Sequence, residues 1–313
     1  MASPKLDQNL QRWLDNYNQL LAAWRAKGVD LTPEMARDGL ATLTTSHVTT
    51  SPSVAMVMDE PLVVDGRSIS LRIYHPAPDK RCGVIIYLHG GGHMAGSVTV
   101  YDPICRKLAV AANHIVISVD YRLAPEHPYP AGLKDAAAVI SHYRSLLATL
   151  NIDYSERLVV AGDSAGGAMS ATMAHRFQDD DATVIDKLIL IYPSLDYTMS
   201  HPSIDELADG YLLERERIAW YFARYFQDYN DRRGASPLFM DISPSFPATL
   251  VCTAGFCPLR DEGFAYVGRL EKNGNSVVHH HYPGMIHAFL NLEDIVADQC
   301  SSLYERIGKF LAT

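Results

Sequence analysis

The sequence predicts an α/β fold in which a mostly parallel central sheet carries helices on both of its faces. From about residue 54 onward, short apolar runs alternate with segments of helical pattern. The apolar runs are continuous rather than alternating, as expected of strands that are buried on both faces. Strand–helix alternation of this kind is typical of parallel sheets. The predicted strands are Val84–His89, Ile115–Asp120, Leu158–Ala161, Leu188–Tyr192, Leu250–Ala254 and Val277–Tyr282.

A hairpin is predicted before this alternating region, and helices are predicted between its strands. Pro61–Val64 and Ser68–Tyr74 have the residue types of strands, and the pair Asp65-Gly66 between them favours a tight hairpin turn. The predicted helices lie near residues 101–112, 132–149, 165–177, 258–272 and 293–311.

Two segments do not fit the alternation, and we predict that they form a helical cap. In the first, apolar residues between Leu6 and Trp24 recur every three or four positions, which indicates an amphipathic helix. This apolar face either packs on its own domain or roofs a substrate pocket. Both cap pieces are expected above the carboxyl ends of the strands, where ligands bind in open α/β sheets. The cap comprises residues 1–50 and 196–235, and the core comprises residues 51–195 and 236–313.

Charge, cysteine content and hydropathy exclude several classes of protein. The chain has 27 basic and 36 acidic residues and a formal net charge of −9, which argues against a nucleic-acid partner. Its five cysteines form no CxxC pair and are odd in number, which favours free thiols in a reducing compartment. Since the sequence has no apolar signal region and no run of membrane-spanning length, we expect a cytoplasmic protein without a membrane partner.

The run Gly162–Gly167 contains the first candidate catalytic residue. It follows the predicted strand Leu158–Ala161 and opens a helical segment, and Ser164 has a glycine two places before it and two places after it. A serine on so tight a strand-to-helix turn is held up at the edge of the sheet, and only glycine avoids clashes at the flanks. The helix that begins there directs free amides and the positive end of its dipole at the site. The pattern therefore predicts that Ser164 is a nucleophile.

The run His89–Gly92 follows another predicted strand and indicates an oxyanion hole. Its three consecutive glycines let the backbone approach a ligand and point amides at it. A phosphate-binding loop is the alternative interpretation. Neither of the two common phosphate-binding glycine patterns occurs in the chain.

His287 lies in a loop just after the last predicted strand, and it is the candidate general base. The order of serine first, and histidine after the final strand, is the order of α/β-hydrolases. A histidine is needed to accept the proton of Ser164 and then to protonate the leaving alcohol. The run His279–His281 suggests a metal site at first sight. However, neighbouring residues of a strand face opposite ways and no HExxH pattern is present, so we predict no metal.

Together these motifs resemble the bacterial hormone-sensitive-lipase family of carboxylesterases (family IV), which has the α/β-hydrolase fold. The resemblance implies that Ser164 is the nucleophile, that His287 is its base, and that the amides of Gly91, Gly92 and Ala165 form the oxyanion hole. It also implies short-chain acyl esters as substrates and no cofactor. The resemblance runs from about residue 60 to the C-terminus. The segments that carry it are His89–Gly92, Asp120–Pro130, Gly162–Gly167, Tyr192-Pro193 with Asp196, Ser236–Leu238, Pro258–Gly263 and His281–His287.

Cys257 departs from the pattern of that family. The family's catalytic acid is the first aspartate of a D-P-L-x-D-E-G motif, whereas residues 257–263 of this chain read CPLRDEG. A thiol is shorter than a carboxylate and largely neutral at pH 7 unless its pKa is lowered. It is therefore a poor partner for the imidazolium that forms during catalysis.

Three explanations of Cys257 remain open. In the first, a nearby carboxylate replaces the acid, and we assign this role to Asp261, one helical turn further on, ahead of Asp196 and the adjacent Glu262. In the second, a weakened enzyme works with the serine, the histidine and the oxyanion hole alone. In the third, Cys257 is an engineered or inactivating change.

We therefore predict a serine carboxylesterase that hydrolyses short-chain acyl esters through an acyl-enzyme on Ser164, with His287 as the general base. The alternative is a catalytically weakened or inactive ligand-binding homologue, because Cys257 occupies the position of the acid. Since many relatives pair through the edge strand nearest the C-terminus, a homodimer formed through Val277–Tyr282 is a further hypothesis.

Overall fold

An eight-stranded sheet runs through the residues that the structure, a computed structural model, describes; these are residues 5–313. The strand order is β1-β2-β4-β3-β5-β6-β7-β8. The pairs β1–β2 and β2–β4 are antiparallel and the other pairs are parallel, which confirms the predicted mostly parallel sheet. The strands are β1 (Met56–Val64), β2 (Arg67–His75), β3 (Cys82–Leu88), β4 (His114–Asp120), β5 (Tyr154–Asp163), β6 (Lys187–Ile191), β7 (Ala248–Phe256) and β8 (Val277–Ile286).

The first two strands form the predicted hairpin. Asp65 and Gly66 link them with φ angles of 52° and 73°. Positive φ at both central residues is the requirement of a type I′ turn, whose twist matches that of the strands it joins. The predicted turn is therefore confirmed.

Helices cover both faces of the sheet, as the continuous apolar strands predict. Along β3, Val84, Ile86 and Leu88 belong to one hydrophobic core, whereas Ile85 and Tyr87 belong to the other. The helices α4, α5 and α9 contribute to the first core, and α3 and α10 to the second. Their bounds are α3 (Asp102–Ala112), α4 (Ala131–Thr149), α5 (Ala165–Phe177), α9 (Arg260–Lys272) and α10 (Ala297–Ala312).

Both predicted cap segments contain helices. In the first, Leu10 and Leu14 are buried but Leu20 is 72% exposed, so the predicted apolar face is buried at these two positions and not at Leu20. In the second helix of this segment, Thr32 is the N-cap, and its hydroxyl accepts a hydrogen bond from the amide of Met35 at 3.2 Å. The cap helices are α1 (Gln8–Arg25), α2 (Pro33–His47), α6 (Ser203–Glu206), α7 (Arg215–Phe226) and α8 (Arg232–Ala235).

The cysteines and the histidine run of β8 have ordinary structural surroundings. All five cysteines are unpaired and buried. His279 and His281 point to the same side, and each lies 2.9 Å from the hydroxyl of Thr253. Within residues 5–313, no helix combines the length with the apolar character that crossing a membrane requires.

We expect the substitution Leu14→Ala to destabilise the protein by about 2–5 kcal/mol, because Leu14 is only 1% exposed and its loss leaves a cavity between α1 and the core. Leu20→Ala on the same helix is the matched control. Since Leu20 is 72% exposed, its truncation is expected to change stability by less than about 0.5 kcal/mol. Urea unfolding of both variants checks the prediction, and equal losses of stability would contradict this packing of α1.

Candidate active site

Ser164 lies on a sharp turn between the end of β5 and the start of α5. Its backbone has φ 53° and ψ −119°, a strained conformation for a residue with a side chain. A Cβ atom on Gly162 would lie 2.4 Å from the carbonyl carbon of Gly166, and a Cβ on Gly166 would lie 1.9 Å from the carbonyl oxygen of Leu88. Only glycine fits at either flank, which is the physical reason for the spacing of this motif.

The hydroxyl of Ser164 is hydrogen-bonded to His287. Its Oγ lies 2.8 Å from Nε2 of the imidazole, which follows the end of β8. His287 is 5% exposed, and the ring of Tyr192 packs edge-on against it with centroids 4.9 Å apart. Burial lowers the pKa of His287 to about 3, so the ring is neutral at pH 7 and can accept a proton.

Cys257 is the residue that lies beside the second nitrogen of this imidazole. Its Sγ is 3.1 Å from Nδ1 of His287, and its side chain is 1% exposed. Burial raises the pKa of the Cys257 thiol, so the sulfur is protonated at pH 7. The structure therefore brings Ser164, His287 and Cys257 together in one hydrogen-bonded line.

The structure does not bring Asp261 to His287, which corrects the expectation that Asp261 replaces the missing acid. Its Oδ2 accepts a hydrogen bond from the amide of Ser203 at 3.0 Å, and its Oδ1 accepts one from Arg260 at 2.7 Å. The physical reason is that Cys257 precedes α9, which begins at Arg260, so the helical spacing assumed between residues 257 and 261 does not apply.

The two other candidate carboxylates, Glu262 and Asp196, are also bonded elsewhere. Glu262 is fully buried, and its Oε1 accepts a hydrogen bond from the amide of Leu195 at 2.6 Å. Asp196 closes a local turn, since its carboxylate accepts hydrogen bonds from the amides and hydroxyls of Thr198 and Ser200. Neither carboxylate is hydrogen-bonded to His287, whose described partners are Ser164 and Cys257.

The glycine loop after β3 presents free amides beside Ser164. Gly91 and Gly92 have φ angles of 118° and 63°, and both line the same cavity as Ser164 and Ala165. Among the described residues, no group accepts a hydrogen bond from the amides of Gly91, Gly92 or Ala165. These three amides are therefore available to a ligand, as an oxyanion hole requires.

Asp163 fixes the position of this glycine loop. Its Oδ1 accepts hydrogen bonds from the amide of Gly90 at 2.7 Å and from the hydroxyl of Tyr87 at 2.8 Å, and its Oδ2 accepts one from Tyr101 at 3.1 Å. Burial raises the pKa of Asp163 to about 6, against the lowering effect of these hydrogen bonds. Asp163 thus has a structural role beside Ser164.

A cavity of about 210 Å³ lies directly above Ser164 and His287. The helix α2 supplies much of its wall, and the face of α7 that includes Tyr221 and Phe222 supplies another part. The helix α1 contributes Tyr17. The N-terminal segment therefore both packs on its domain and roofs the pocket, so the two interpretations of its apolar face hold together. The residues of α2 at the cavity are Met35, Ala36, Gly39, Leu40 and Leu43.

Arg37 attaches the cap to the catalytic loops. Its guanidinium donates to both carboxylate oxygens of Glu126, at 3.0 and 2.6 Å, and to the carbonyl oxygens of Met94 and Ala124. Glu126, in the segment Asp120–Pro130, thus binds an arginine of the cap. A bidentate pair with two further carbonyl acceptors orients α2 over the glycine loop.

Sequence reasoning missed Arg217, which is one of several cavity-lining residues outside the predicted motifs. His93 is 1% exposed and stacks on Tyr225 with centroids 3.8 Å apart, so it does not point to solvent. Tyr17, Arg217 and Tyr221 come from the two cap segments. The one available signal was the spacing of four between Arg217 and Tyr221, which places them on one face of a helix.

Comparison with known proteins defines the class. A family model described as the α/β hydrolase fold matches residues 85–291. The carboxylesterase NlhH of Mycobacterium tuberculosis is 36% identical over 304 residues, which cover 95% of this chain and 92% of that protein. This chain therefore belongs to the hormone-sensitive-lipase-like α/β-hydrolases (family IV). It is a carboxylic ester hydrolase.

Two further similarities support this assignment. The ethyl acetate hydrolase of Pseudomonas putida is 32% identical over 240 residues, which cover 75% of each chain. The solved structure of the ester hydrolase EH1AB1 from the metagenome of Lake Arreo superposes with a TM-score of 0.88 at 32% identity, and the match covers 98% of both chains.

We expect Cys257→Asp to move the acidic limb of the pH profile of kcat/KM to higher pH. In the parent protein, burial without a neighbouring carboxylate holds the pKa of His287 well below its ordinary value of about 6.5. A carboxylate at position 257 stabilises the imidazolium and raises that pKa, so the base becomes protonated at a higher pH. Hydrolysis of p-nitrophenyl butyrate between about pH 2.5 and pH 9 measures the limb.

Asp261→Asn is the matched control for this experiment. It also changes a carboxyl position near Cys257, but the Asp261 side chain is bonded to Ser203 and Arg260 rather than to His287. The acidic limb of this variant is expected to coincide with that of the parent. A shift produced by Asp261→Asn and not by Cys257→Asp would overturn the assignment of Cys257 to this position.

Proposed function

We propose that this protein hydrolyses short-chain acyl esters through an acyl-enzyme on Ser164, with His287 as the general base. The observation that carries the proposal is the 2.8 Å contact between Oγ of Ser164 and Nε2 of His287. A serine hydroxyl becomes a useful nucleophile when a neutral imidazole at this distance accepts its proton.

In the first half of the reaction, Oγ of Ser164 attacks the carbonyl carbon while its proton passes to Nε2 of His287. The amides of Gly91, Gly92 and Ala165 stabilise the negative charge on the carbonyl oxygen. The bond to the alcohol oxygen then breaks, and His287 returns the proton to the departing alcohol. In the second half, His287 takes a proton from a water molecule, whose oxygen attacks the acyl carbon. The bond between that carbon and Oγ of Ser164 then breaks, and His287 returns the proton to Ser164 as the carboxylic acid leaves.

Cys257 sets the tautomer of His287 in this scheme. Nε2 must be the acceptor for the proton of Ser164, so in the neutral ring Nδ1 carries the hydrogen and donates it to the sulfur of Cys257. A thiol sulfur is a weak acceptor and carries no charge here, so it orients the ring but stabilises the imidazolium less than a carboxylate does. We therefore expect slower chemistry than with an aspartate at position 257, and no loss of the reaction.

The preference for short acyl chains is supported by the size of the cavity and by one relative. The cavity of about 210 Å³ is smaller than the roughly 300–1,000 Å³ of pockets that hold drug-sized ligands. The relative from Pseudomonas putida is named for the hydrolysis of ethyl acetate. We expect kcat/KM to be highest for acetyl and butyryl esters and to fall for longer acyl chains.

Ser164→Ala is expected to reduce kcat for p-nitrophenyl acetate and p-nitrophenyl butyrate by at least about 10³-fold, because no nucleophile remains at the elbow. Ser194→Ala is the matched control, since Ser194 lines the same cavity but has no side-chain hydrogen bond to His287. Its kcat is expected to stay within about threefold of the parent, as for a substitution that touches no reacting group. Turnover by Ser164→Ala at the rate of the parent would contradict the proposed mechanism.

A further inference from the structure

Arg217 brings a positive charge to the wall of an otherwise largely apolar cavity. It lies in the first turn of α7 and lines the cavity above Ser164 together with leucine, isoleucine and phenylalanine side chains. Apart from Asp163, which is bonded within the catalytic loops, it is the one Asp, Glu, Lys or Arg among the lining residues that the structure describes.

Within residues 5–313, no carboxylate lies within 4.0 Å of the guanidinium of Arg217. Glu214 is close in the chain, but it is paired with Arg25 of α1. The neighbouring Arg215 is paired with Asp205 at 2.9 Å. Its chain neighbours Glu214 and Arg215 are therefore paired with other residues, while Arg217 itself is half-buried and lines the cavity. A partly buried charge without a counter-ion is unfavourable until an anion binds to it.

Two tyrosine hydroxyls share this end of the cavity. Tyr221 follows Arg217 one turn later on the same face of α7, and Tyr17 approaches from α1. Burial raises the pKa of both tyrosines, and in each case the nearby Arg217 guanidinium is the main effect that opposes the rise. A planar guanidinium flanked by two hydroxyl donors matches the two oxygens of a carboxylate.

These donors border the same cavity as the reacting centre, so one small molecule in it can reach both. The ring of Tyr221 lies against the glycine loop His89–Gly92, since a Cβ on Gly92 would be 2.5 Å from Cγ of Tyr221. Arg217 precedes Tyr221 by four residues, which is about one 5.4 Å turn along the helix. We therefore expect a chain of a few carbon atoms to join a carboxylate at Arg217 to an ester carbonyl at Ser164.

Resting on the proposed function, we propose that the substrates are esters that carry a second, ionised carboxylate, and that Arg217 binds this carboxylate with the hydroxyls of Tyr17 and Tyr221. Such a carboxylate can belong to the acyl part of the ester, as in a half-ester of a dicarboxylic acid, or to the alcohol part. The cavity has the same recognition chemistry for both sources.

Two substrate pairs test the proposal, each matching a charged ester with a neutral one of similar size. Monoethyl glutarate against ethyl butyrate places the carboxylate on the acyl side, and 4-acetoxybutyrate against butyl acetate places it on the alcohol side. In at least one pair, the parent is expected to have the higher kcat/KM for the charged ester. Arg217→Gln is expected to lower the charged-to-neutral ratio of that pair by about 10- to 100-fold, the range for a lost hydrogen bond to a charged group.

Two control variants separate recognition from general effects of charge. Arg217→Lys keeps the positive charge and is expected to retain most of the ratio. Arg224→Gln removes the same charge from the same helix, but Arg224 stacks on Trp220 at 4.0 Å and does not line the cavity. Its ratio is expected to equal that of the parent. Equal ratios for Arg217→Gln and the parent, or an equal fall with Arg224→Gln, would overturn the proposal.

Failure of the proposed function is distinguishable from failure of this inference. If the parent hydrolyses neither member of either pair, the proposed function fails, and binding then tests the carboxylate site by itself. Calorimetry with monoethyl glutarate and 4-acetoxybutyrate is carried out on Ser164→Ala with and without Arg217→Gln. A 10- to 100-fold weaker affinity of the double variant for either ester supports the site, and equal affinities for both esters would refute it.

Discussion

The hydrogen-bonded line from Cys257 through His287 to Ser164 depends on where three strands end. Ser164 follows β5, Cys257 follows β7, and His287 follows β8, so parallel strands deliver all three side chains to one edge of the sheet. The strained turn at Ser164 is held by close backbone packing around its glycines. The positions of the three side chains are therefore set by the sheet. The thiol of Cys257 lies at the strand end where the family pattern has its acid.

The chemical consequence of this thiol follows from its burial. A carboxylate at position 257 would raise the pKa of His287 and stabilise its charged form. A buried, protonated thiol orients the imidazole but carries no charge that stabilises the imidazolium. The position of the glycine loop His89–Gly92 does not depend on Cys257, because Asp163 and the tyrosines that bond it fix Gly90. Much of the transition-state stabilisation available to an ester hydrolase thus remains in place.

Sequence predicted the parts of this site that local patterns encode. The turn at Ser164, the glycine loop and the loop of His287 each follow an apolar strand, so their convergence follows from the rule that parallel strands end at one edge. The assignment of Asp261 failed because it assumed helical spacing across a turn that precedes α9. The contribution of Arg217 to the cavity wall also could not be predicted from the sequence, because it depends on how α1, α2 and α7 pack together over the sheet.

The most direct test of the Ser164–His287–Cys257 arrangement is covalent labelling with diethyl p-nitrophenyl phosphate, followed by mass spectrometry of the intact protein and its peptides. The neutral thiol of Cys257 is buried behind His287, while the hydroxyl of Ser164 faces the cavity and the oxyanion amides. The expected result is a single diethylphosphoryl group on Ser164 and an unlabelled Cys257. A label on Cys257, or labelling that persists in Ser164→Ala, would contradict the account.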